Sequence, residues 1–434
     1  MSSPSSSSIS YQAFNNSLQS QILILELLAN ITSKDTSLQK TDREDALASI
    51  EYLKQYTIRL NENDMEVLEM EQEESDKRQF LLDSITQSDK DGCLLRQLVM
   101  DKNSVAVQEL LNRNVNVRGH CNGSTILHAA AAANDKQMIQ LILDKGFDEK
   151  EKDSNGLSAV QRAVKDGNVE AVEILASRSN ANRRRKEKLY HLAAEAGQVS
   201  VLQTLYNIYP KTMINEKNSK KQTPVDIAAR NGHLEAVKTL LDMGADPNSA
   251  LNSAARGNHS DIVEMLLQSP YIDVNNKDSQ GHTPLHRALI NGNVAMVNKL
   301  IGPGTRANVW IVGPGGNTAL HYTGSCYILD LLERLTRRLD VNIRNDLNET
   351  PLHQAAIKNN KEVAIYLLNK GANVDALNDN RETPLYYAAR ENAKDVAEEL
   401  KKRGARTYIR NIENKTPIDI AKEKGNYEIA YILK

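Results

Sequence analysis

The sequence predicts an all-α solenoid: helix–turn–helix units stacked one on the next, with β-hairpin fingers between them and a short helical region in front. Three observations predict it. A tetrapeptide of the Thr-Pro-Leu-His kind recurs along most of the chain, and a pair of alanines follows many of its copies. Aromatic residues make up only 4%, with one Trp and three Phe. A single large core draws on more of them, whereas stacked helical repeats fill their interior with Leu, Ile, Val and Ala.

In chain order, residues 1–10 (MSSPSSSSIS) are Ser-rich and read as a disordered tail. They carry no basic segment of the kind that opens a signal peptide. Residues 11–91 read as a helical region, with patterns at about 11–31, 42–70 and 75–88. The run Ile22 to Ile31 is interrupted by Glu26 and falls short of the ~20 apolar residues that span a bilayer. In the second pattern Ile50, Leu53, Thr57, Leu60 and Val67 make an apolar face, and Glu66, Glu69, Glu71, Glu73 and Glu74 an acidic one. Such a region serves as a cap on the first repeat or as a partner-binding hairpin. With no His before His120 and no Gly-rich loop, it offers little chemistry.

The repeats run from residue 92 to 434. Thr-Pro-Leu-His stands at Thr283–His286 and Thr350–His353, with variants at Thr125–His128, Thr223–Asp226, Thr318–His321, Thr383–Tyr386 and Thr416–Asp419. Thr350, Thr383 and Thr416 are spaced by 33 residues. Degenerate copies begin at Ser158, Lys188 and Ser249 and near Gly92, giving about eleven units. Thr is a good N-cap, and Pro at the first helical position loses no hydrogen bond. The alanine pairs (Ala228–Ala229, Ala254–Ala255, Ala355–Ala356, Ala388–Ala389) let helices approach closely. Gly244 and Gly371 follow second helices, where a left-handed residue is wanted. At the last unit Lys422, Glu423, Lys424 and Glu428 suit an exposed end.

With these motifs the chain resembles the ankyrin-repeat family from residue 92 onward. The resemblance implies that His128, His191, His286, His321 and His353 bridge adjacent units structurally. It also implies a protein- or peptide-binding concave face, made of finger tips and first-helix ends. The matching positions are Gln222, Arg230 and Asn231; Asn248 and Arg256; His282, Ile290 and Asn291; Asn317 and Ser325; Glu349, Ile357 and Lys358; Glu382, Arg390 and Glu391. Tyr387 lies beside the last set. Among them Arg230, Arg256, Ile290, Asn291, Lys358, Tyr387, Arg390 and Glu391 are the candidate contact residues, with Trp310 added as a hot-spot type.

Two segments depart from the pattern. Gly302–Gly316 has Gly/Pro punctuation around Val309, Trp310, Ile311 and Val312 and reads as a β-hairpin finger; no Gly-Lys-Ser/Thr follows to suggest phosphate binding. The run Arg183, Arg184, Arg185, Lys186 is a basic patch, read as a solvated link or a localisation signal.

A formal net charge of −2 argues against a general nucleic-acid binder. Cys93, Cys121 and Cys326 are far apart, so no disulfide framework or zinc site is suggested, and His120 beside Cys121 is too few ligands. No catalytic set, metal or cofactor is expected. The function expected is a non-enzymatic scaffold or adaptor, cytoplasmic or nuclear. The alternatives are an arm that brings substrates to a recruited enzyme such as a ubiquitin ligase, and a bacterial effector acting in a host cytoplasm. Specific nucleic-acid binding and a membrane span are not expected.

Overall fold

A computed structural model describes residues 51, 93–102, 104–112, 123–178, 188–302, 304–305, 307–336 and 339–434. The Ser-rich tail, the 11–91 region apart from Glu51, the His120–Cys121 pair and the basic patch Arg183, Arg184, Arg185, Lys186 lie outside the described residues. The chain forms two compact units, dividing between Pro210 and Lys211. Unit one holds α1 (Cys93–Met100), α2 (Ser104–Asn112), α3 (Ile126–Ala132), α4 (Lys136–Asp144), α5 (Ala159–Asp166), α6 (Val169–Ser177), α7 (Leu189–Ala196) and α8 (Val199–Ile208). Unit two begins with α9 (Pro224–Asn231), α10 (Leu234–Asp242), α11 (Asn248–Gly257), α12 (Ser260–Leu267), α13 (Pro284–Ile290) and α14 (Val294–Ile301). It continues with α15 (Ala319–Tyr322), α16 (Cys326–Thr336), α17 (Pro351–Ile357), α18 (Lys361–Asn369), α19 (Pro384–Arg390), α20 (Lys394–Lys402), α21 (Pro417–Glu423) and α22 (Tyr427–Ile432). Among the described residues these make eleven helix pairs, the number read from the repeats.

Each first helix begins as its tetrapeptide dictates. At Thr223, Thr283, Thr350 and Thr416 a Pro occupies the first turn, and the residue three on returns a hydrogen bond to the Thr amide. First helices stack on first helices and second on second, as in α9 on α11 on α13. The alanine pairs sit at those contacts and are fully buried. One unit could not bury this surface alone; a neighbour on each side does.

The tetrapeptide histidines are buried and join adjacent units. The amides of Thr318 and Thr350 donate to Nδ1 of His321 and His353 at 3.2 and 3.0 Å. Nε2 therefore carries the proton, and it donates to the carbonyls of Glu349 and Glu382, each at 3.2 Å. In unit one His128 reaches the Leu157 carbonyl at 2.9 Å. Tyr386 replaces the histidine in one unit and keeps the tie by accepting from the Asn411 amide at 3.0 Å.

The fingers are turns, and the described residues contain no strand, only isolated bridge positions at Ser124, Lys152 and Ser158, the last two paired with each other. In each finger an Asp or Asn (Asp153, Asn218, Asp278, Asn345, Asn378, Asn411) donates its amide to the carbonyl four residues on. Its side-chain oxygen accepts from the amide four residues on, as Asp278 does from His282 at 3.0 Å. These local bonds occupy the groups a hairpin ladder would need.

The segment 302–316 corrects the sequence reading. It is not a β-hairpin around Val309, Trp310, Ile311 and Val312. It is the ordinary connector, closed by Gly313 donating to the Asn317 carbonyl at 2.7 Å, with a 3₁₀ turn at Pro314–Gly316. The Asn308 amide donates to Asn275 Oδ1 at 2.8 Å, as the Asn373 amide does to Asn342 Oδ1. Trp310 follows by two residues and is 39% exposed.

Candidate functional site

Unit two has one connector unlike the rest. The links into α9, α13, α17, α19 and α21 each carry a finger, but between α10 and α11 only residues 243–247 intervene. The reason is in the sequence: Thr223 and Ser249 are 26 residues apart, against 33 for the regular units. The short link is tied down by Asn215, whose side chain bonds the Gly244 carbonyl at 3.2 Å and the Asp246 amide at 3.0 Å.

Where the finger is missing there is a notch of about 850 Å³. Finger 217–222 forms one wall and finger 276–280 the other, and the start of α11 forms the floor. Among the described residues no main-chain bond joins the two walls. Further along, the fingers are joined tip to tip, by Asp346 N to Gly315 O at 2.9 Å, Asp379 N to Leu347 O at 3.1 Å and Ile412 N to Asn380 O at 3.0 Å. Pro314 stands at the donor position of this ladder and has no N–H, so the ladder stops before finger 276–280. Gly316 permits the close approach on the laced side, since a side chain there would run into the Asp346 carboxylate.

The notch is strongly cationic. Lys217, Lys220, Lys221, Lys277, Arg230 and Arg256 line it, against Asp226, Asp246 and Asp278. Each carboxylate already holds at least one bond within the chain. Asp226 accepts from the Thr223 amide at 2.8 Å, and Asp246 from the Asn248 amide at 3.0 Å. Asp278 is held by Arg287, whose Nε lies 2.8 Å away. Burial alone would raise the Asp278 pKa, but bonds from Arg287 and the His282 amide hold it below its ordinary value. The six cations are exposed and, among the described residues, enter no ion pair. Arg256 has a lowered pKa because of partial burial and the nearby guanidiniums of Arg230 and Arg287. That pairing is built in by the backbone. Gly257 lies so close to the Arg230 carbonyl that any side chain would clash, and His259 Nε2 sits 3.0 Å from the same oxygen.

The remaining candidate contacts separate into free and engaged. Ile290 is 47% exposed at the end of α13. Asn291 is surface-placed, but its amide donates to the Ala255 carbonyl at 2.8 Å and stitches α13 to α11. Lys358 donates to the Tyr322 carbonyl at 3.1 Å, and burial lowers its pKa. Tyr387 is a correction: it is 5% exposed, its hydroxyl donates to Glu349 and accepts from Asn378, and burial with the Glu349 bond pushes its pKa up. It supports Arg390, whose guanidinium lies 4.2 Å over its ring. Arg390 in turn bonds Glu391 at 2.8 Å and faces Glu382 at 3.7 Å. Glu349 and Glu382 are buried in the same network. The strip from 349 to 391 is thus largely satisfied internally, whereas Arg230 and Arg256 are not. The residues that sequence reasoning missed are the notch lysines and Asn252, and the shortened spacing before Ser249 was the signal that could have found them.

Among the described residues no group of three or more His, Cys, Asp or Glu could hold a metal ion, and no helix is long and apolar enough to cross a membrane.

Comparison with known proteins agrees with this architecture. A family model for ankyrin repeats (3 copies) matches residues 95–186, 177–250, 247–312, 303–378 and 320–411. The human transient receptor potential cation channel subfamily A member 1 is 26% identical over 200 residues, covering 42% of this chain and 18% of the channel. Alpha-latroinsectotoxin-Lt1a of Latrodectus tredecimguttatus is 27% identical over 287 residues, covering 60% of this chain and 20% of the toxin. Alpha-latrotoxin-Lt1a of the same spider is 31% identical over 112 residues, 24% of this chain and 8% of the toxin. The chain therefore spans a fifth or less of these relatives.

Proposed function

The chain belongs to the ankyrin-repeat family, and from that premise we propose that it is a non-enzymatic scaffold that docks a protein partner on the face made by its fingers and first-helix ends. Repeats of this family are generally protein–protein interaction modules. The observation that carries the reading is the contrast within that face. From Glu349 to Glu391 the polar groups bond one another, while around Arg230 and Arg256 a set of charges is held exposed without partners. Leaving like charges side by side is a cost to the isolated chain. A partner's complementary groups would relieve it.

Cross-linking in a cell extract tests the proposal. Lysine-directed cross-links to captured proteins should concentrate on Lys221, Lys277 and Lys358, which lie on that face. Lys238 in α10 and Lys394 in α20, on the second helices, should be poor in them. Cross-links confined to the second helices or to residues 1–91 would overturn the reading.

A further inference from the structure

Resting on that scaffold reading, we infer that the notch left by the missing finger seats an extended acidic peptide segment of the partner protein. Three features of the notch select this occupant. First, six cationic side chains converge on it with no ion pair among the described residues, while all three carboxylates are committed to capping or to Arg287. A ligand with several carboxylates matches this charge, and the charge is local, because the whole chain is close to neutral.

Second, two residues of the lining hold acceptors that no donor of the chain meets. Asn252 and Asp226 are 3% and 4% exposed, and each has one side-chain oxygen with no hydrogen-bond partner. The Asn252 amide group cannot be turned to remove the mismatch, because its Nδ2 is already bonded to the Asn276 carbonyl. A buried acceptor without a donor is unfavourable. A fully ionised polyanion such as sulfate brings no donor, whereas a peptide backbone brings an N–H at nearly every residue beside its acidic side chains. Ser253 and the side-chain nitrogen of Gln280, whose oxygen is taken by Arg287, can pair with its carbonyls and amides.

Third, among the described residues no aromatic side chain lines the notch. Single-stranded nucleic acid is held by stacking its bases on aromatic rings over a basic groove, and only the basic half of that arrangement is present. The notch between the two fingers also leaves room for a strand-like guest to lie across the start of α11.

The test uses the purified full chain and a short fluorescent peptide of alternating glutamate and serine, read by anisotropy at low and physiological salt. Saturable binding is expected, weakening as salt rises. Arg256→Glu and, separately, Lys221→Glu should each weaken it about tenfold or more. Both residues are exposed, and Lys221 lies in a turn, so retained helical circular dichroism in either variant keeps the comparison valid. Lys402→Glu, on the outer end of α20, should bind as the parent does. The same peptide with glutamine for glutamate, and an oligothymidine of equal length, should compete poorly. The inference is overturned if the acidic peptide does not bind, if both charge reversals bind it unchanged, or if the oligothymidine displaces it equally well. A chain that cross-links partners on its finger face yet ignores the peptide overturns this inference and leaves the scaffold reading standing.

Discussion

The imidazole of His353 donates through Nε2 to the carbonyl oxygen of Glu382, 3.2 Å away, so that the first turn of one unit holds the finger of the next. The same ring accepts the Thr350 amide through Nδ1. Protonation would turn that acceptor into a donor facing a donor.

This geometry makes stability depend on pH. Burial lowers the pKa of His353 and of His286 from 6.5 to about 4. The folded state therefore binds fewer protons than the unfolded one between these values, and stability rises with pH there. The contribution is complete above about pH 6.5 and is lost as the pH falls toward 4, at about 3 kcal/mol for each histidine. Urea unfolding at neutral pH and near pH 4.5 should show the drop, and His353→Gln should flatten part of it. Equal stability at both values would contradict the assignment.

Removing the Tyr387 hydroxyl should destabilise the array without touching its surface. In Tyr387→Phe the buried Glu349 and Asn378 each lose a partner, at a cost of about 1–3 kcal/mol. A lowered melting temperature with unchanged binding of the acidic peptide is the expected pair of results.

Gly316→Ala should weaken the finger ladder. The residue has φ of 69°, and a methyl group would meet the Asp346 carboxylate. A loss of about 1–3 kcal/mol is expected, together with faster hydrogen exchange at the Asp346 amide, which bonds the Gly315 carbonyl.

Residues 211–434 should fold without the preceding chain, since they form a compact unit with seven helix pairs of their own. The fragment should keep helical circular dichroism and a cooperative thermal transition. A fragment without helical signal would show that unit one is needed.

Much of the fold was legible because the repeat chemistry is local. Thr caps, Pro at the first turn, alanine pairs and glycine after second helices each specify their own few residues, and they agree from unit to unit. The segment around Trp310 misled for a related reason. Its Gly and Pro residues look like hairpin punctuation, yet Gly313 occupies the place of Asp278 or Asn345, and only the closing bond to Asn317 reveals the equivalence. The site was legible in part. Arg230 and Arg256 follow from their position on the repeat. The fate of Tyr387 does not, because its burial depends on Glu349 and Asn378, 38 and 9 residues away. The notch lysines are invisible to a unit-by-unit reading, since what exposes them is the absence of residues elsewhere.

The short link before α11 shows how such an array can change its surface while keeping its interior. Helices α9, α11 and α13 still stack through that point, so the buried framework does not register the loss. Only the outline does. In a globular domain a deletion of this kind would cut into a shared core, whereas here it subtracts a projection and leaves a concavity with ready-made walls. A linear architecture can thus acquire a new shape by omission, at any junction, without redesigning the rest.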